Sequence, residues 1–119
     1  MEDFELWIDS LIDWGADPNA AIKRLLGDEE LFVSLFTALM ESSDWDRLRA
    51  LIDSGEHKEA FVLAHRLKGS AADLSLGPLY DRLSDVTDDL RGNEISPGLA
   101  RDARLLFEAK ASLDEFLPG

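Results

Sequence analysis

Apolar residues recur at helical spacing along this whole 119-residue chain, and no stretch sustains the two-residue alternation of a half-buried strand. That period restricts the chain to an all-α fold. Phe4, Trp7, Ile8, Leu11 and Ile12 share one face of a helix over residues 3 to 14, which Gly15 ends. Asp17 and Pro18 supply an N-cap and a first helical position for a second helix. Ile22, Leu25 and Leu26 form its apolar face, and Gly27 stops it. Asp28 caps a longer helix reaching about Ser54, with Ser42-Ser43-Asp44 marking a bend or a break inside it. Ser54-Gly55 closes that segment, and the next helix starts near Glu56. Gly77-Pro78 opens a further helix with Leu79, Leu83, Val86 and Leu90 inward, ended by Gly92-Asn93. Ser96-Pro97 starts the last one, along which Leu99, Ala103, Leu106, Lys110, Leu113 and Leu117 step until Pro118-Gly119. Short connections favour antiparallel neighbours. The expected architecture is therefore an antiparallel up-down four-helix bundle with additional short N-terminal helices.

A chain of this length buries one core and little more. The expectation is one domain over residues 1–119, with a helical extension at 1–16 and the bundle at about 17–117. Apolar residues make up 45% of the chain, enough to supply that core. There is no cysteine, which excludes a disulfide scaffold and fits a reducing, cytoplasmic setting. No apolar run reaches the length of a membrane span, and Met1-Glu2-Asp3 lacks the basic start of a secretory signal. Met1 and the near-terminal Leu117-Pro118 favour a free-standing protein over a domain of a larger one. The net charge of -13 repels nucleic acid and anionic membranes alike, so neither is an expected partner. Leu11 to Asn19, with its Gly-Ala-Asp-Pro-Asn run, resembles the end of an ankyrin repeat. No second copy follows at the ~33-residue period such a repeat needs, so the run is helix-stop and helix-start punctuation.

The informative segment is the helix through residues 58 to 74. Stepping about 100° per residue, Ala60, Leu63, Ala64, Leu67, Ala71 and Leu74 form one apolar stripe. His65 falls about 160° from the stripe centre, near the middle of the opposite face. Gly69 and Ala72 land beside it, and Lys68 lies one turn on. A lone exposed histidine is usually an ordinary surface residue. Here the neighbouring small residues leave room for another macromolecule, and the lysine can meet an anion. A neutral imidazole titrating near pH 6.5 has a free lone pair and attacks phosphorus without a separate base. His57 lies about 80° away around the helix, and no ligand cluster accompanies it, so no metal site is expected. Phe61 and Val62 flank His65 at about 120° and 140° from the stripe centre, a semi-apolar docking patch unless the N-terminal helix around Trp7 and Leu11 covers one of them.

His65-Arg66-Leu67-Lys68-Gly69-Ser70-Ala71 resembles the H-x-L-K-G-[SA]-[SA] motif of histidine-containing phosphotransfer (HPt) domains. The resemblance extends to Gly27-Asp28-Glu29-Glu30-Leu31-Phe32, to Asp44-Trp45 through Ser54-Gly55, and to Leu74, Leu79 and Leu83, covering roughly residues 17 to 116. It implies that His65 carries a phosphoryl group and that Lys68 supports it; the position of Phe61, Val62, Arg66, Gly69 and Ala72 around His65 on the helix makes them the expected partner contacts. Receiver domains of response regulators and a hybrid sensor histidine kinase are the implied partners. No cofactor is implied for this chain, and Mg²⁺ is expected on the partner receiver. The chain departs from the family after Ala71, where Ala72-Asp73-Leu74-Ser75 replaces a frequent Gly-Asn-hydrophobic-Gly run and places Asp73 two turns from His65. Neither a G-x-x-x-x-G-K-[ST] loop nor a G-x-S-x-G elbow is present, so the expected role is that of a phosphoryl carrier, not an ATP-using enzyme. A module that docks a receiver or kinase without relaying phosphate is the alternative. Residues 56–72 carry a net charge of +1 while residues 81–94 carry -3, which makes the motif helix a less acidic island suited to an acidic receiver pocket.

Overall fold

The computed structural model describes residues 3–118; Met1, Glu2 and Gly119, and the expectations placed on them, lie outside the described residues. Those residues form seven helices and no strand: α1 (Phe4–Trp14), α2 (Pro18–Arg24), α3 (Glu29–Glu41), α4 (Asp44–Asp53), α5 (His57–Asp73), α6 (Gly77–Leu90) and α7 (Leu99–Asp114). The fold is all-α, and no described helix is long and apolar enough to cross a membrane. Helix α5 packs against α6, α6 against α7, α4 against α5, and α3 against α7. All seven helices contribute to one apolar cluster.

The caps follow the sequence. Asp3, Asp17 and Asp28 each accept a hydrogen bond from the backbone N–H three residues on, at Leu6, Ala20 and Leu31. Gly15 takes a left-handed conformation (φ 117°), and a β-carbon there would also meet Pro78 Cγ at 2.8 Å. This position therefore needs glycine twice over, for its backbone and for the approach of α6.

Helix α2 ends differently from expectation. Leu26, not Gly27, is the first left-handed residue (φ 58°), with Leu26 N–H donating to Lys23 O and Gly27 N–H to Ile22 O. That reversal turns Leu26 outward, 96% exposed, so it does not belong to the apolar face; Ala21 is buried there instead. Ile12 is likewise 43% exposed, because Ile8 and Leu11 already fill the inward side of α1.

The serine pair produces a full break between α3 and α4. Ser42 is extended (ψ 137°), and its hydroxyl accepts from Asp44 N–H. Buried Trp45 then donates its indole N–H to Leu39 O at 2.7 Å, tying the new helix back across the break. Helix α7 is shorter at both ends than expected. At its start, Ser96 folds a turn in which its Oγ accepts from Gly98 N–H and its carbonyl from Leu99 N–H. At its end, Pro118 disfavours a helical Leu117, and the chain tightens through bonds from Phe116 to Leu113 O and from Leu117 to Asp114 O. Lys110 lies on the inward stripe as its spacing requires. Its ammonium pairs with Asp114 and sits 5.5 Å from the Trp45 ring centroid.

The turn into α7 also covers Asp89, near the end of α6. One of its carboxyl oxygens is buried without a partner. Burial first, then a hydrogen bond with Asp102, pushes its pKa from the ordinary 3.8 up to about 6, against the opposing pull of a Ser96 hydrogen bond. The folded state thus holds this proton more tightly than the unfolded chain does. Its stabilising contribution is complete below about pH 4 and is lost as pH rises through about 6. Asp89→Asn should therefore stabilise the protein at pH 7.5 by about 1 kcal/mol, since the carboxyl is only partly withdrawn from solvent. Melting curves of both proteins at pH 4.5 and 7.5 check this. The stability gap should be wide at the higher pH and narrow at the lower.

Candidate functional site

Helix α5 is the 17-residue helix that carries the motif. Its start is set by Gly55 (φ 79°), which lets Glu56 N–H reach back to Leu51 O while the chain turns from α4. Its inward stripe is the expected one: Ala60, Leu63, Ala64, Leu67, Ala71 and Leu74 are all buried. Opposite them His65, Arg66, Gly69 and Ala72 are exposed, Lys68 is half-buried, and Val62 is 63% exposed.

The far end of α5 is fastened by a residue that sequence patterning did not single out. Ser75 takes a left-handed conformation (φ 56°), with its N–H bonded to Ala72 O and that of Leu76 to Ala71 O. The Arg24 guanidinium, reaching over from α2, donates to Ala72 O at 3.2 Å, Asp73 O at 2.8 Å and Ser75 Oγ at 2.7 Å. A cation on the last carbonyls of a helix is favourable both as hydrogen-bond donor and against the helix dipole. Asp17 N–H adds a bond to Ser75 O.

Around His65 the neighbours come from three helices. The imidazole lies nearly parallel to the Phe61 ring, with centroids 6.2 Å apart and planes 13° from parallel. From the end of α6, the Arg91 guanidinium sits 5.5 Å from the Phe61 centroid. Also from α6, Tyr80 presents its ring 5.6 Å from the Lys68 ammonium. On the other flank Arg66 pairs with Asp44 of α4 at 3.6 Å, and Arg47 of α4 pairs with Glu59 at 3.5 Å. Exposed pairs like these contribute little to stability, but they fix where charge is displayed. Lys68 remains directed over an aromatic face, outside any of these ion pairs.

Each residue expected at the site is thus found on or beside one exposed face of α5. Helix α1 does not cover Phe61 or Val62. Trp7 packs edge-on to Phe32 and Phe36 and donates its indole N–H to Phe116 O, which holds α1 against α3 and the end of α7. Val62 borders a shallow depression with Arg47, Lys58, Glu59, Leu63 and Arg66. Phe61 is half-buried through its contacts with His65 and Arg91. Among the described residues no group of three or more histidine, cysteine or acidic side chains is arranged to hold a metal ion. The chain matches no family model, no curated protein and no solved structure in the comparisons made.

Gly69 occupies a helix interior, where glycine is conformationally expensive, yet a β-carbon built there meets nothing within 4 Å. The fold therefore does not require glycine at this position. Gly69→Ala should stabilise the protein by about 0.5–1 kcal/mol. Thermal or urea unfolding reads the change directly, and a loss of stability would show a packing role absent from the geometry.

Proposed function

We propose that this chain is a histidine phosphotransfer protein of a multistep phosphorelay. His65 accepts a phosphoryl group from a receiver-domain aspartyl phosphate and passes it to an aspartate on another receiver. The observation that carries this reading is the exposure of His65 directly opposite the buried stripe of α5, with Lys68 one turn away and open space over Gly69. The antiparallel four-helix bundle of such a module would lie within residues 17–117, with α1 as the N-terminal extension. The sequence from His65 to Ala71 supports the same reading.

The chemistry asks little of this chain. One ring nitrogen of neutral His65 uses its lone pair to form an N–P bond, and the P–O bond to the aspartyl carboxylate breaks with its electron pair. The ring holds the resulting positive charge until the proton on its other nitrogen leaves to solvent. Lys68 can swing from the Tyr80 ring toward the phosphoryl oxygens, a charge-assisted contact. The partner receiver would supply Mg²⁺ and the acidic pocket. The exposed surface of Val62, Arg66, Gly69 and Ala72 would receive it, and a sensor kinase carrying a receiver would stand upstream.

His65→Gln should abolish transfer of labelled phosphate from a phosphorylated receiver while shifting stability by less than about 0.5 kcal/mol. Label retained in that variant, or lost instead with His57→Gln, would place the acceptor elsewhere. Receiver binding with no label on the wild-type chain would mark a docking module that relays nothing.

Lys68→Ala should slow transfer by roughly 10- to 100-fold, the worth of one charge-assisted contact. Its unfolding midpoint should move little, because the ammonium is only half-buried. Rapid-quench transfer and melting curves on the same preparations separate the two effects. Normal transfer by a destabilised variant would assign Lys68 to the fold.

A further inference from the structure

We propose that Phe61 is a positioning residue for His65, its ring holding the imidazole in the plane along which a ring nitrogen meets phosphorus. This rests on the phosphotransfer role of His65 and adds to it a determinant outside the motif.

Three observations place Phe61 in that role. It precedes His65 by four residues, so both side chains leave α5 on the same side one turn apart. The two rings lie 13° from parallel at 6.2 Å, within the range of offset aromatic stacking. Phe61 is itself held from the neighbouring helix, where the Arg91 guanidinium sits 5.5 Å from its centroid. The imidazole thus rests on a ring that is braced from α6, although the histidine is exposed.

The orientation matters because of where the lone pair lies. It projects in the plane of the imidazole, so rotation about the bond to the ring sweeps the nucleophile through an arc. That torsion is broad and weakly restricted for an unsupported aromatic side chain. Stacking selects ring planes parallel to Phe61 and leaves the ring edge, with its nitrogen, directed away from the stack. Attack then requires less ordering when the phosphoryl group arrives. In the step itself the N–P bond forms as the P–O bond to the receiver's aspartate breaks with its electron pair. Phe61 touches neither atom. A docking role for Phe61 makes the opposite kinetic claim, since it changes how tightly the receiver binds and not how fast bound receiver reacts.

The test uses the full chain with two phosphoryl donors: a phosphorylated receiver domain and phosphoramidate, a small donor that needs no docking surface. Phe61→Leu should lower the saturating rate from the receiver and the rate from phosphoramidate by the same factor, about 2- to 10-fold, the value of one released rotamer. KM for the receiver should stay unchanged. Phe61→Tyr, which keeps a stacking ring, should restore both rates. In proton NMR the carbon-bound imidazole protons of His65 should show a ring-current displacement that disappears in Phe61→Leu and persists in Phe61→Tyr. Those of His57 should stay fixed. Should Phe61→Leu unfold at the assay temperature, Phe61→Met makes the same comparison. A raised KM with unchanged saturating and phosphoramidate rates overturns the proposal in favour of docking. Equal losses in the Leu and Tyr variants overturn it too. Wild-type chain that accepts phosphate from neither donor would defeat the relay role, and positioning would fall with it. Wild-type labelling with an unaffected Phe61→Leu rate would defeat positioning alone.

Discussion

Everything distinctive about the site depends on how closely α5 and α6 approach. The buried stripe of α5 alternates leucine with alanine, and Ala60, Ala64 and Ala71 are fully buried. Small residues at those positions let the facing leucines of α6, Leu79 and Leu83, come close to the α5 backbone, and packing there is dense enough that a single added methylene is felt. Because α5 is anchored along one face, its opposite face is displayed as a rigid platform. An exposed histidine on a loop would wander; the same residue on this face has its Cα fixed by five buried neighbours on its own helix.

The short connection between α5 and α6 then decides which side chains meet. Three residues, Leu74 to Leu76, join the two helices, so positions about equally far from Ser75 face each other. Lys68 meets Tyr80, and Phe61 meets Arg91, the two pairs lying at increasing distance from the turn. Both contacts join a cation to an aromatic ring, an interaction that tolerates partial exposure better than an ion pair tolerates salt. In a chain of net charge -13, Lys68 thus faces an uncharged ring, while Arg91 divides its guanidinium between the Phe61 ring and the Asp88 carboxylate.

Most of the fold was legible because its signals are local. Aspartate caps, a Pro at a first helical position and the 3.6-residue stripe of α5 each act within a turn or two of their own residues. What escaped depends on contacts between distant segments or on backbone reversals without glycine. Leu26 counts as apolar in any periodicity, yet a left-handed turn faces it to solvent. Ser42-Ser43 left a bend and a break equally open, and the choice is made by Trp45 bonding back to Leu39 O. The placement of His65 followed from one helix alone. Tyr80 and Arg91 did not, since they join the site only through the register of the α5–α6 pair, which pairs positions counted outward in both directions from Ser75. Arg24 carried no local mark at all, because its three acceptors lie some fifty positions along the chain.

That separation bears on what each contact costs to form. The Arg24 clasp joins residues 48 to 51 positions apart, across all of α3, α4 and α5. The α5–α6 pair, by contrast, closes over a three-residue turn and requires almost no search. Loop-closure entropy makes the long-range clasp costlier to form than the local pair. The α5–α6 turn needs only its own residues, whereas covering the C-terminal carbonyls of α5 requires α2 and everything between to be in place. Helix α2 acts in this sense as a closing bracket on the C-terminal end of the platform that bears His65.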